Sequence, residues 1–156
     1  MYSLGSVPGV PPQRYGGLTL ERGDSNKLLI GGNANDPTAA LYAIRVVRSC
    51  GHIIGFEGVA TRFADAPNVD GGLDYGPGGI LLFTGYNVNT IGQIRPGEAP
   101  VARPTDLAML GIDTSVGALR GVPAGFSSAG SLKVISWSGG QWRQLGMAAG
   151  ADGLLE

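Results

Sequence analysis

Apolar and polar residues alternate along LYAIRVV (41 to 47), TIGQIRP (90 to 96) and QWRQLGM (141 to 147), a period of two that predicts half-buried β-strands. Each segment follows the same succession of small residues with a leucine, a turn region, and a strongly apolar run. The three copies read YGGLTLERGDSNKLLIGG (15 to 32), DGGLDYGPGGILLFTGY (70 to 86) and VGALRGVPAGFSSAGSLKVISW (116 to 137). Leu18, Leu73 and Leu119 anchor them, spaced by 55 and 46 residues. HIIGFEGVATRFA (52 to 64) and TDLAMLG (105 to 111) add an outer fourth strand to the first two copies, whereas the third runs straight into AAGADGLLE. YSLGSVPGV (2 to 10) precedes the first copy much as TDLAMLGI precedes the third, and so reads as an orphan outer strand.

A four-stranded unit repeating every roughly 40 to 50 residues has the period of a propeller blade. The expected fold is all-β, a β-propeller with three four-stranded blades per chain at 15–69, 70–114 and 115–149, and residues 2–14 as closing strand and linker. Propellers use about four to eight blades. A homodimer completes the circle most economically: a six-bladed ring in which each N-terminal strand becomes the outer strand of the partner's third blade and removes an open edge. The innermost strands of such a ring crowd one another, so Gly16, Gly17, Gly71, Gly72 and Gly117 are expected where backbones approach closely. Pro77-Gly78-Gly79 reads as the turn between the first two strands of blade 2, since Pro presets φ at one corner and Gly accepts a positive φ at the next. Asp24-Ser25-Asn26 and VPAGFSSAG (122 to 130) take that place in the other blades.

On its GGL blade starts, YGPGG turn and GQIRPG third strand, the chain resembles bacterial β-propellers of the NHL and SMP-30/gluconolactonase-like group over about residues 15 to 145. Lactonase-type members hold a divalent metal at the channel mouth through Glu, Asn and Asp from several blades. With half that number of blades here, a complete metal centre of that kind would need both subunits or would not exist.

Composition bounds the function. The chain has 28 Gly and 10 Pro among 156 residues, yet 43% is hydrophobic, which suits a turn-rich folded domain. A net charge of −1 gives no electrostatic footprint for nucleic acid or an anionic membrane. Cys50 is the only cysteine, so no intrachain disulfide forms. The N-terminal residues have neither a basic start nor a continuous apolar stretch, so no secretory leader is expected; a cytoplasmic protein and a secreted one written without its leader both fit.

Asn68 and Asp70, just before an inner strand, are expected at the channel mouth, where their oxygens could hold Ca²⁺ or another divalent cation; satisfying turn amides is the competing role. Tyr15 and Ser115 are expected at the matching positions of the other blades, giving a polar mouth. Asn33, Asn35 and Asp36 in one turn and Tyr86, Asn87 and Asn89 in another make an Asn-rich surface suited to a polar small molecule or glycan. Cys50 and His52 sit in an outer turn that offers no oxyanion hole, and neither a G-x-S-x-G elbow nor a P-loop is present. Trp137 and Trp142 flank a hairpin turn and are expected to pair across it, with sugar stacking as the alternative. The sequence thus points to a non-enzymatic binding or interaction module. A metal-dependent lactonase-like hydrolase, with Asp70 as base beside a cation, is the rival reading.

Overall fold

A computed structural model describes residues 3–95, 104–151 and 153–156. It is all-β, and each sheet is an antiparallel meander whose strand order follows the chain. Sheet 1 contains β1 (Tyr15–Glu21), β2 (Asp24–Gly32), β3 (Ala40–Ser49) and β4 (His52–Asp65). Sheet 2 contains β5 (Val69–Tyr75), β6 (Leu81–Gly85), β7 (Thr90–Ile94) and the two-residue β8 (Thr105–Asp106). Sheet 3 has three strands, β9 (Val116–Gly121), β10 (Leu132–Ser136) and β11 (Gln141–Leu145).

The register makes the repeat quantitative. Leu18, Leu73 and Leu119 lie opposite Ile30, Phe83 and Val134, while Tyr15, Val69 and Val116 lie opposite Gly32, Gly85 and Ser136. Every first strand carries a bulge between those two pairings, and the one in β5 is a residue longer. Asp70 lies in that longer bulge.

Equivalent strands pack side by side, β1 along β5 and β5 along β9. The glycines allow this. A Cβ on Gly17 would lie 2.7 Å from the Gly71 carbonyl oxygen, and one on Gly72 would lie 2.9 Å from the Leu119 nitrogen. Leu29, Leu41, Leu73 and Phe83 fill the seam between sheets 1 and 2, and Leu82, Leu119, Leu132 and Val134 fill the seam between sheets 2 and 3. Gln93 is the polar exception in the second seam: it is buried, and its side chain both donates to the Leu155 carbonyl (2.6 Å) and accepts from the Leu155 N–H (2.8 Å). That pair stitches the C-terminal segment over the seam. Gln93→Ala leaves both Leu155 groups buried without partners, for which a loss of about 1–3 kcal/mol is expected. Chemical denaturation reads the loss, and faster amide exchange at Leu155 localises it; unchanged exchange there would refute the docking role.

Several local expectations are corrected. The first hairpin turns at Arg22-Gly23, where Gly23 takes φ +87°, and Asp24-Ser25-Asn26 already belongs to β2, with Asp24 Oδ1 accepting the Asn26 N–H. TDLAMLG is a strand only at Thr105–Asp106; Asp106 Oδ1 then accepts the Ala108 N–H and the chain turns into a 3-10 segment at Ala108–Leu110. In contrast, Pro77-Gly78 forms the expected turn, with Gly78 at φ +67° and the Gly79 N–H donating to the Gly76 carbonyl.

The largest correction concerns the N-terminus. The described part of the segment, from Ser3 onward, forms no strand and, within the one chain, does not lie beside Gln141–Leu145. Val7 and Val10 are buried instead on the free face of sheet 1 against Leu28, Ile30, Ile44 and Val46, and the Ala60 N–H donates to the Pro8 carbonyl. The physical reason lies in the intervening Pro8-Gly9: Pro lacks an N–H for a ladder, and Gly9 sits at φ +82°. The two valines therefore anchor a turn rather than alternate along a strand.

Candidate functional site

The starts of the three inner strands gather at one end of the molecule, where the Asn-rich turns also lie. The carbonyls of Arg14, Asn68 and Ser115 accept N–H groups from Ala34, Tyr86 and Trp137, which makes the same stitch in all three sheets. Asn68 and Ser115 are thus true counterparts, both with positive φ (60° and 74°), and Tyr15 lies one residue further along.

Most polar groups here are engaged in holding turns. The Tyr15 hydroxyl accepts the Val7 N–H at 2.8 Å and so fastens the N-terminal segment. Asn87 Nδ2 donates to the Asn35 carbonyl, joining the turns of sheets 1 and 2, and Asn89 Nδ2 donates to the Ile112 carbonyl. Tyr86 is exposed, and its N–H is the one given to Asn68. Asn33 Nδ2 donates to Thr38 Oγ1. Asp36 Oδ1 accepts both the Thr38 hydroxyl (2.6 Å) and N–H (2.8 Å), bonds that hold its carboxyl below the usual range. Asp70 is half-buried in β5, its Oδ2 3.9 Å from where a Cβ would stand on Gly117. Among the described residues no three His, Cys, Asp or Glu side chains converge as a metal site. Cys50 (φ 49°) and Gly51 (φ 80°) are the two corners of a tight hairpin between Ser49 and His52, and Cys50 is exposed there.

The opposite ends of the inner strands make a different surface. A groove of about 760 Å³ runs there, lined by Arg22, Asp74, Tyr75, Arg120 and residues 121–124 and 129–131. Asp74 is its fixed centre: Oδ2 accepts the Gly121 N–H (2.9 Å), Oδ1 accepts the Tyr75 N–H (2.9 Å), and Arg120 Nη1 stands 3.4 Å from Oδ1. The Tyr75 hydroxyl accepts the Arg22 N–H at 3.2 Å, which leaves its own hydrogen free to donate. Burial pushes the Tyr75 phenol above its usual pKa, so it stays a neutral donor. Arg22 and Arg120, both exposed, also line the groove, and Arg22 has no ion pair among the described residues. The sequence carried a signal for this group, because Asp74 and Arg120 each directly follow an anchor leucine.

Family models, curated proteins and solved structures were compared with the chain, and none matches it.

Proposed function

We propose that this chain is a non-enzymatic binding module of propeller-like design that takes a small anionic ligand in the groove between the ends of β1, β5 and β9. One observation carries the reading: two arginines and a tyrosine line one open groove, while Asp74, the only carboxylate among its described lining residues, is engaged by two backbone N–H groups and Arg120. Arg presents a planar fork of donors that matches carboxylates and phosphates. The side-by-side inner strands and the β-bulge shared by all three sheets support the NHL-like propeller reading of the fold.

Two features weigh against a six-bladed ring of two chains. Such a ring needs the outer face of sheet 3 to bury against the free face of sheet 1, which residues 3–14 already cover in part. In addition, the buried Leu29 and Leu82 of sheets 1 and 2 correspond by register to Lys133 in sheet 3, beside Arg120 where the others have Thr19 and Asp74. Sheet 3 thus turns Arg120 and Lys133 outward, beside the exposed Ile135 and Trp142.

Thermal shift with citrate and inorganic phosphate tests the ligand class. Both should raise the melting temperature above that in chloride of equal ionic strength, and the double variant Arg22→Ala, Arg120→Ala should lose the difference. No anion-specific rise in the wild type would overturn the proposal. Calcium separates the rival: a rise with Ca²⁺ that Asp70→Asn abolishes would favour the metal-dependent hydrolase with Asn68 and Asp70 as ligands.

A further inference from the structure

Outer edges differ among the three sheets. In sheets 1 and 2 the third strand is paired on its far side, β3 by β4 and β7 by β8, always antiparallel. In sheet 3 the far side of β11 has no strand among the described residues. A strand edge left open offers a row of N–H and C=O groups, and proteins usually blunt such edges with Pro, a bulge or a very short strand. β11 has neither Pro nor bulge, and its one charge is Arg143; its five residues pair with β10 in unbroken register from Gln141 to Leu145.

A second, independent feature lies beside this edge. A cavity of about 240 Å³ opens between sheets 2 and 3, lined chiefly by Leu82, Ile91, Leu110, Leu132, Leu145 and Met147. Of its polar lining residues, Gln93 is already bound to the Leu155 backbone, and Thr105 and Glu156 are the others. Leu145 is half-buried and shares its face of the sheet with Leu132, opposite it, and with Arg143, two residues earlier. Arg143 is exposed and has no acidic partner among the described residues. On the other face of β11, Trp142 is 69% exposed and lies directly across from Ile135.

We propose that β11 accepts an antiparallel fourth strand from another protein, an extended segment reading apolar–any–acidic–apolar. Its first apolar residue lies opposite Leu145 and enters the cavity, the acid lies opposite Arg143, and the second apolar residue covers Trp142. Main-chain hydrogen bonds supply affinity in this mode of recognition, and side chains on alternate faces supply selectivity. Opposite charges across a strand pair favour each other, as aromatic and β-branched neighbours do. The partner is foreign because this chain's own candidate, the N-terminal segment, is held on sheet 1 by Val7, Val10 and the Tyr15 hydroxyl. The surface is separate from the anion groove and stands whether or not that groove binds anions.

Selection of the full chain against a display library of octapeptides randomised at four central positions tests the inference. The expected result is enrichment of the stated pattern, with binding of a selected peptide weakened at least about tenfold by Arg143→Glu and restored when the peptide's acid is replaced by Lys. Such a charge-swap rescue cannot arise from misfolding. A selection without binders, an enriched pattern lacking the acid, or binding indifferent to Arg143→Glu would each overturn it. A sedimenting mass of two chains that Arg143→Glu reduces to one would overturn it too, by making a second copy the occupant.

Discussion

Gly17→Ala should cost about 3 kcal/mol or prevent folding, while Gly117→Ala should leave stability unchanged or raise it by up to about 1 kcal/mol. Both glycines lie in the bulged part of a first strand, and neither has a positive φ. What differs is the neighbour. The added methyl at 17 meets the Gly71 oxygen at 2.7 Å, the Gly72 carbonyl carbon at 2.9 Å and Leu73 Cβ at 2.9 Å. Two of those atoms are backbone, so relief would require β1 and β5 to part, opening the seam that holds Leu29, Leu73 and Phe83. At 117 the nearest atom is Asp70 Oδ2 at 3.9 Å. Urea unfolding of the two variants decides the matter, with a changed midpoint at constant slope for Gly17→Ala. Equal losses at both sites would mean that β9 is as crowded as β1, which is what an additional sheet packed on β9 would produce.

Phe83→Ala should cost about 3–5 kcal/mol, since it empties the largest fully buried side chain from the seam between sheets 1 and 2. For a chain of this size roughly 2–4 °C is lost per kcal/mol, so a fall in melting temperature of about 6–20 °C is expected. The sharper test is a double-mutant cycle with Gly92. Phe83 lies across from Gly92, and its ring occupies the space a Cβ there would take. Gly92→Ala therefore destabilises the wild type by forcing the ring aside. In the Phe83→Ala background the same methyl fills part of the void and should restore stability. The sign reversal follows from shared volume, so additivity of the two changes would count against the packing described.

How far the sequence led depended on the range of the interaction behind each feature. The anchor leucines and the small residues before them were legible because their spelling repeats along the chain; their surroundings do not, since Leu18 is exposed where Leu73 and Leu119 are buried, and Gly117 is open where Gly17 is crowded. Asp24-Ser25-Asn26 misled because its composition suits a turn, whereas register is set by Arg22-Gly23 just before it. At the N-terminus the decisive contacts run from Val7 and Val10 to Ile44 and Val46, more than thirty residues away, although Pro8-Gly9 did argue locally against a strand. Asn68, Asp70, Tyr15, Ser115, Tyr86 and Asn87 read as binding groups in the sequence, with turn-holding as the competing role of Asp70; the Tyr15 hydroxyl and the Asn87 amide are engaged by neighbouring backbone, which only the folded chain displays. The groove at the other end draws Arg22, Asp74 and Arg120 from three separate units, and only the strand register brings them together.

The outward face of sheet 3 has a consequence for how such a chain can change in length. Arg120, Lys133 and Gln144 are written only into the last unit, and the valine-bearing lead segment only before the first, whereas the central unit is apolar toward both neighbours. Duplication of the central unit extends the array and leaves the outward faces of sheets 1 and 3 as they are. Duplication of the last would trap a lysine and an arginine between leaves of hydrocarbon. The permissible direction of growth is therefore inward, by insertion at the middle.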